Sequence, residues 1–220
     1  MIPPDQDGQF VACMENVLDI YKREYNVEFP VVCMDETPKQ LISETRSIIE
    51  ARRGHIEKYD YEYIRSGMCN IFMANEPLTG KRLVEVYERK TKIEWAKFIE
   101  KISNHFALAK KIVLIMDNLS THKAGSLYDA FRPEKARSLW DRFEFVYTPK
   151  HGSWLNMAEI ELNVLHKQCL NRRIDDIETV RSEVSAWQRY RDNQNAIINW
   201  QFSMEDARIK LKRLYPTFES

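Results

Sequence analysis

Two runs of large apolar residues each end on an acid, and they leave few folds open to this chain. VVCM leads into Asp35, and IVLIM leads into Asp117. Short aliphatic, β-branched runs bounded by turn residues read as strands buried on both faces of a sheet. Pro30 introduces the first run, and Pro38 is expected to stop it.

The rest of the chain supplies layers to cover such a sheet. Residues 9–22 place Phe10, Met14, Val17, Leu18 and Tyr21 on one helical face. Residues 39–58 are mostly polar, with a basic pair at Arg52 and Arg53, and read as a loop or hairpin excursion. Alternating stretches around Tyr61 and Tyr63, Ile71 and Met73, and Leu83 to Val86 follow. With Ser66-Gly67 and Thr79-Gly80 as turn signals, they predict antiparallel strands. Helical spacing recurs over 91–108, 123–131, 154–170 and 177–191, and FEFVYTP is a further strand. Ser203 and Asp206 carry a capping-box signature for a last helix ending before Pro216. Three antiparallel strands followed by strand–helix units predict an α/β fold, a mixed sheet with helices on its faces.

Composition excludes several classes. The 220 residues carry 33 Lys+Arg and 33 Asp+Glu, so no uniform basic coat grips nucleic acid by bulk charge. The balance is local: residues 1–50 hold 4 basic and 10 acidic side chains, and residues 101–150 hold 9 and 5. No apolar run reaches the roughly 18 residues of a membrane span, and MIPPDQDGQF lacks the features of a signal peptide. Cys13, Cys33, Cys69 and Cys169 form no C-x-x-C pair, which argues against a zinc site or disulfide framework. A reduced cytosolic protein is expected.

Asp35 and Asp117 follow apolar strands, at the rim where side chains converge. Glu159 sits on the 154–170 helix. At about 100° per residue, it shares a flank with Asn156, Asn163 and His166, while Glu161 points to the other flank. Three carboxylates from distant segments suit hard divalent cations, and a metal pair can clamp the attacking and leaving oxygens of a phosphodiester. Taken singly, each acid also reads as a turn, cap or solvated residue.

VVCMDETPKQL, IVLIMDNLSTHKAGSLYDAF and FEFVYTPKHGSWLNMAEIEL resemble the three signature blocks of DDE transposases, in the bacterial insertion-sequence branch related to mariner elements. WQFSMEDARIKLKRLYP resembles the C-terminal end of that group, so the likeness spans nearly the whole chain. It implies an RNase H-like core with a mixed five-stranded sheet flanked by helices and a C-terminal helical extension. The expected division is an N-terminal helix and linker over 1–26, a catalytic core over 27–172 and the extension over 173–220. Asp35, Asp117 and Glu159 would be the catalytic acids, with Glu159 in the L-N-x-x-E pattern begun by Leu155. Forty-one residues separate Asp117 from Glu159, somewhat more than in mariner relatives, which implies a small insertion near 132–142.

The resemblance further implies two Mg²⁺ ions, with Mn²⁺ as substitute, and nicking of element ends followed by strand transfer to target DNA at TA. It implies a homodimer in the DNA complex and a helix-turn-helix recognition half that reads inverted repeats. Only about 30 residues precede Asp35, and their net charge is acidic, which is too little chain and the wrong charge for that half, so a split reading frame or a truncated copy is expected. The setting would be bacterial cytoplasm, at the nucleoid when acting. Two other readings remain: an RNase H-like nuclease or resolvase without strand transfer, and an inactive remnant serving as a binding module.

Around the acids, Asn118 and His122 either orient Asp117, touch DNA or cap a loop. Lys150 and His151 precede the Glu159 helix, where Lys150 either meets a phosphate or stays solvated. Trp154 either stacks on an extruded base or packs in the core. Asn156 lies beside Glu159. Glu36 is expected to be a spectator, because it points away from the face of Asp35.

Overall fold

The computed structural model describes residues 5–46, 51–56 and 60–217. Five strands, β1 (Val31–Glu44), β2 (Tyr63–Glu76), β3 (Lys81–Tyr87), β4 (Ile112–Met116) and β5 (Phe143–Tyr147), form one sheet in the order β3-β2-β1-β4-β5. β1 to β3 are antiparallel; β4 runs parallel to both β1 and β5. This is the expected mixed sheet, with seven helices among the described residues: α1 (Gly8–Tyr21), α2 (Lys92–His105), α3 (Ala124–Ala130), α4 (Pro133–Arg142), α5 (Met157–Leu165), α6 (Ile177–Asn193) and α7 (Met204–Lys210).

Alternation along the strands sends side chains to two faces. Val32, Met34, Ile112, Leu114 and Met116 point to the layer of α2, α3 and α4, where they meet Trp95, Phe98, Ile99 and Ile102. Cys33, Val113, Ile115 and Val146 point the other way, onto Phe10, Met14 and Val17 of α1 and Met157 and Ala158 of α5. Further along that face, Ile71, Met73, Val84 and Val86 pack against Leu162 and Leu165 of α5 and Val180, Val184 and Trp187 of α6. Each fully buried side chain of this size stabilises the fold by roughly 1.5–3 kcal/mol.

Two local expectations are corrected. Pro38 does not stop the first strand: β1 continues to Glu44, with Pro38 opposite Asn70. Beyond Cys33 the strand has no β4 neighbour, so Pro38 meets no strand partner on that edge and its missing N–H is tolerated. Residues 39–44 are therefore strand, paired antiparallel with 63–69, so of the two readings of 39–58 the hairpin excursion holds; 47–50 and 57–59 lie outside the described residues. Ser66-Gly67 is not a turn either. Leu41 pairs with Gly67 and Ile42 with Arg65, leaving Ser66 as a bulge, with Gly67 at φ 126°, a conformation glycine adopts readily. Gly80 at φ 69° does mark the β2–β3 turn.

The outer edge of β3 is covered by α6. Val84 N–H donates to Gln188 Oε1 (3.1 Å), Gln188 Nε2 donates to the Arg82 carbonyl (2.7 Å), and Arg181 Nε donates to the Val86 carbonyl (3.3 Å). Side chains thus continue the ladder that an edge strand leaves open.

Candidate active site

Parallel pairing of β1 with β4 ends at Cys33 opposite Ile115. Asp35 lies within β1 just beyond that point, and Asp117 follows the last residue of β4. Both acids therefore share the strand parity of residues that face α5. α5 begins at Asn156, whose side-chain oxygen caps the helix by accepting from Ala158 N–H (3.1 Å). Asn156 is 2% exposed, and its Nδ2 donates to the Met34 carbonyl (2.8 Å). One side chain thus starts the helix and ties it to β1 next to Asp35.

Glu159, Asn163 and His166 come off α5 onto one flank and line a cavity of about 320 Å³ with Asp35, Thr37 and Lys39. Lys39 Nζ donates to the carbonyls of Leu170 (2.7 Å) and Arg172 (2.9 Å), where the helix ends in a π-helical turn over His166–Leu170. Burial lowers the Lys39 pKa.

Asp35 feels the charges of the other two acids. The Asp35 carboxyl is pushed up to about 7, first by burial and then by the charges of Asp117 and Glu159, against a hydrogen bond from Glu36 N–H that lowers it. Buried like charges resist joint ionisation. Among the described residues, no group of three or more His, Cys, Asp or Glu side chains is gathered closely enough to hold a metal ion. The donor set nevertheless fits a hard divalent cation. Asp35 and Glu159 face one cavity, Asp117 acts on Asp35 through its charge, and a cation would relieve the like-charge repulsion that adds to burial in raising the Asp35 pKa.

His122 is buried behind Asp117. Its Nδ1 donates to the Asp117 carbonyl (3.0 Å) and stands 2.7 Å from Asp117 Oδ1, while Nε2 stands 3.0 Å from Glu36 Oε1. Both ring nitrogens face oxygens. Burial alone would lower the imidazole pKa, but the bonds to Asp117 and then to Glu36 outweigh it and raise it to about 9. Glu36 is thus no spectator. It does point away from the Asp35 face, and there it meets His122 and Lys90 Nζ (2.7 Å).

The other predicted residues are dispersed. Asn118 is exposed and accepts from Lys123 Nζ. Lys150 and His151 are exposed in the loop before α5, with His151 in the left-handed region at φ 66°. Trp154 is partly buried and packs edge-on against Phe202, with ring centroids 5.5 Å apart, at the border of the α1 cluster.

Sequence reasoning missed a second buried network. Glu161 is 1% exposed; Arg82 Nε lies 3.1 Å from its Oε2, and Arg191 Nη2 donates to its Oε1 (2.7 Å). Arg82 also binds Asp192 (2.9 Å) and the Ala196 carbonyl (2.9 Å). These contacts clamp α5 to β3 and α6 two residues from Glu159. The signal was present in the opposite-flank placement of Glu161.

Residues 30–181 match a family model described as DDE superfamily endonuclease. Among curated proteins none matches the chain. Solved structures resemble it in fold. A Mos1 mariner paired-end complex with Mn superposes with TM-score 0.58 at 15% identity, covering 89% of this chain and 60% of that one. A Mos1 strand transfer complex gives 0.57 at 13%, covering 89% and 59%. A paired-end complex with Mg gives 0.55 at 12%, covering 99% and 66%. The chain spans about 60% of the first of these in length. The sheet and its flanking helices share the RNase H-like fold of those structures.

Proposed function

The chain belongs to the DDE superfamily of endonucleases, and on that footing we propose that it is the catalytic domain of a DNA transposase, of the bacterial insertion-sequence branch related to mariner elements. It nicks element ends and joins the freed 3′ ends to target DNA at TA. The observation that carries this reading is geometric: Asp35 and Asp117 each lie two residues past the last residues at which β1 and β4 pair, and Glu159 faces the Asp35 cavity from α5. Asp35 and Glu159 line one cavity from β1 and α5, and the charge of Asp117, from the end of β4, reaches Asp35.

Asp35, Asp117 and Glu159 would hold two Mg²⁺ ions, or Mn²⁺ in their place. Such ions supply Lewis acidity for the attacking and leaving oxygens. In the first reaction, water adds across a phosphodiester bond and leaves a 3′-hydroxyl and a 5′-phosphate. In the second, that 3′-hydroxyl attacks a target phosphodiester and displaces another 3′ oxygen, so one ester bond forms as one breaks. Neither reaction needs a serine, tyrosine or cysteine nucleophile. His122 holds Asp117, Asn156 fixes the start of α5 against β1, and Glu161 anchors the helix that carries Glu159. Element ends, target DNA, a second copy of the chain in the DNA complex and a helix-turn-helix recognition half are the proposed partners. Among the described residues no helix is long and apolar enough to cross a membrane. Action on DNA in the cytoplasm, at the nucleoid, belongs to the same proposal.

The test is Mg²⁺- or Mn²⁺-dependent nicking of supercoiled DNA, followed by joining of pre-cut ends to a TA-containing target. Asp117→Asn and Glu159→Gln are expected to abolish both while leaving the circular dichroism spectrum unchanged. Full cleavage by either variant would sink the assignment. Nicking without joining would point to a nuclease or resolvase, and neither reaction with no metal binding would point to an inactive module.

A further inference from the structure

We propose that Glu36 is a positioning residue that fixes Asp117 through His122; this rests on the reading of Asp117 as a metal-binding acid. Glu36 follows Asp35 directly, yet its side chain lies on the opposite face of β1 and is 1% exposed. A carboxylate is not buried cheaply, and here both of its oxygens are used. One meets Lys90 Nζ at 2.7 Å and the other meets His122 Nε2 at 3.0 Å. The far side of the ring reaches Asp117 at Oδ1 (2.7 Å) and at the backbone carbonyl (3.0 Å).

The ring has little freedom to turn. It stacks on Trp95 at 5.5 Å and 24°, and Tyr147 O–H donates to the His122 carbonyl at 2.8 Å. The chain of contacts crosses from the α2 face to the acid face beyond Cys33 and Ile115, where β1 and β4 stop pairing. It leaves Asp117 one-third exposed toward the site with one oxygen already engaged. Replacing a buried ion pair by apolar residues of similar shape is often neutral or stabilising, so stability alone does not account for this one. A buried Glu–His pair ending on a site acid is instead an outer-shell arrangement of the kind that orients a ligand.

Calorimetric titration of the purified full chain with MnCl₂ tests this without DNA. Glu36→Ala and His122→Ala are each expected to weaken Mn²⁺ binding by about 10–100-fold. The double variant is expected to bind no more weakly than His122→Ala alone, because Glu36 acts only through the ring. Glu36→Gln, which keeps an acceptor for Nε2–H and a near-identical shape, is expected to fall between Glu36→Ala and wild type. It carries the test if Glu36→Ala does not fold. Wild-type affinity in Glu36→Gln and Glu36→Ala, or additive losses in the double variant, would overturn the proposal. A wild-type chain whose Mn²⁺ binding is absent or unaffected by Asp117→Asn would overturn the metal reading itself, a different result from unaltered binding in the Glu36 variants alone.

Discussion

Asp35 and Asp117 stand at matched heights on neighbouring parallel strands, each two residues past the paired Cys33 and Ile115. Residues two apart on a strand share a face, so pairing alone sends both acids toward α5. The sheet creates the convergence, and it also creates a like-charge repulsion that adds to burial in raising the Asp35 pKa.

That repulsion has a sign that solution measurements can read. The folded Asp35 pKa is about 7, above the ordinary value near 3.9. A raised pKa means that the folded state binds the proton more tightly. The group's contribution to stability is therefore full below about pH 4 and is lost as pH rises through 7. In EDTA, wild-type Tm is expected to fall between pH 5 and 8, and Asp35→Asn to fall less and melt higher at pH 8. Each kcal/mol of relief raises Tm by about 2–4 °C in a chain of this size. Parallel profiles for the two proteins would remove the argument.

His122 titrates in a different window. Its folded pKa of about 9 exceeds the ordinary value of about 6.5, so the doubly bonded ring stabilises the fold fully below that value. The contribution is lost as pH rises through 9. Nitrogen-resolved NMR of the imidazole at pH 7.5 is expected to show protons on both ring nitrogens. A single protonated nitrogen at that pH would contradict the two-sided contact with Glu36 and Asp117.

Glu161 should matter to stability more than any exposed acid. Glu161→Ala leaves Arg82 and Arg191 without their shared carboxylate in a buried setting, and one-sided removal of such a partner costs about 3–5 kcal/mol. Arg137→Ala, which breaks the exposed pair with Asp141, is expected to cost under about 1 kcal/mol. Urea unfolding of the two variants checks the contrast, and equal midpoints would refute it.

Asn156→Ala removes a helix cap and the tie to Met34 in one change. Loss of such a cap costs about 0.5–2 kcal/mol, and the Met34 carbonyl is left unpaired. Nicking is expected to fall further than the stability loss explains, because the start of α5 sets where Glu159 stands. Asn156→Asp, which can still cap but cannot donate to Met34, separates the two effects. Full activity in that variant would assign Asn156 to capping alone.

Periodicity carried most of the layered fold, because strand alternation and helical stripes follow local rules. The buried runs around Asp35 and Asp117, the capping box of α7 and the flanks of α5 were all readable from it. What failed depended on neighbours. Pro38 sits in a strand only because β4 is too short to pair beside it. Ser66-Gly67 bulges rather than turns because Leu41 and Ile42 continue opposite it. α4 has few apolar positions, with Ala136 and Leu139 buried, and its stripe is too thin to register. Glu36 and Glu161 looked like bystanders because their partners, His122 and Arg82, lie 86 and 79 residues away.

The covering of β3 by α6 also has a consequence in time. Gln188 reaches the β3 backbone across 104 residues of sequence, from Val84. At about 5–20 residues per second of synthesis, this edge stays open on the ribosome for roughly 5–20 s before its cover emerges. Until then the nascent sheet offers an unpaired strand to any neighbouring chain. Interruption of translation just short of α6 would leave a polypeptide with its three acids in place and a sticky border beside them.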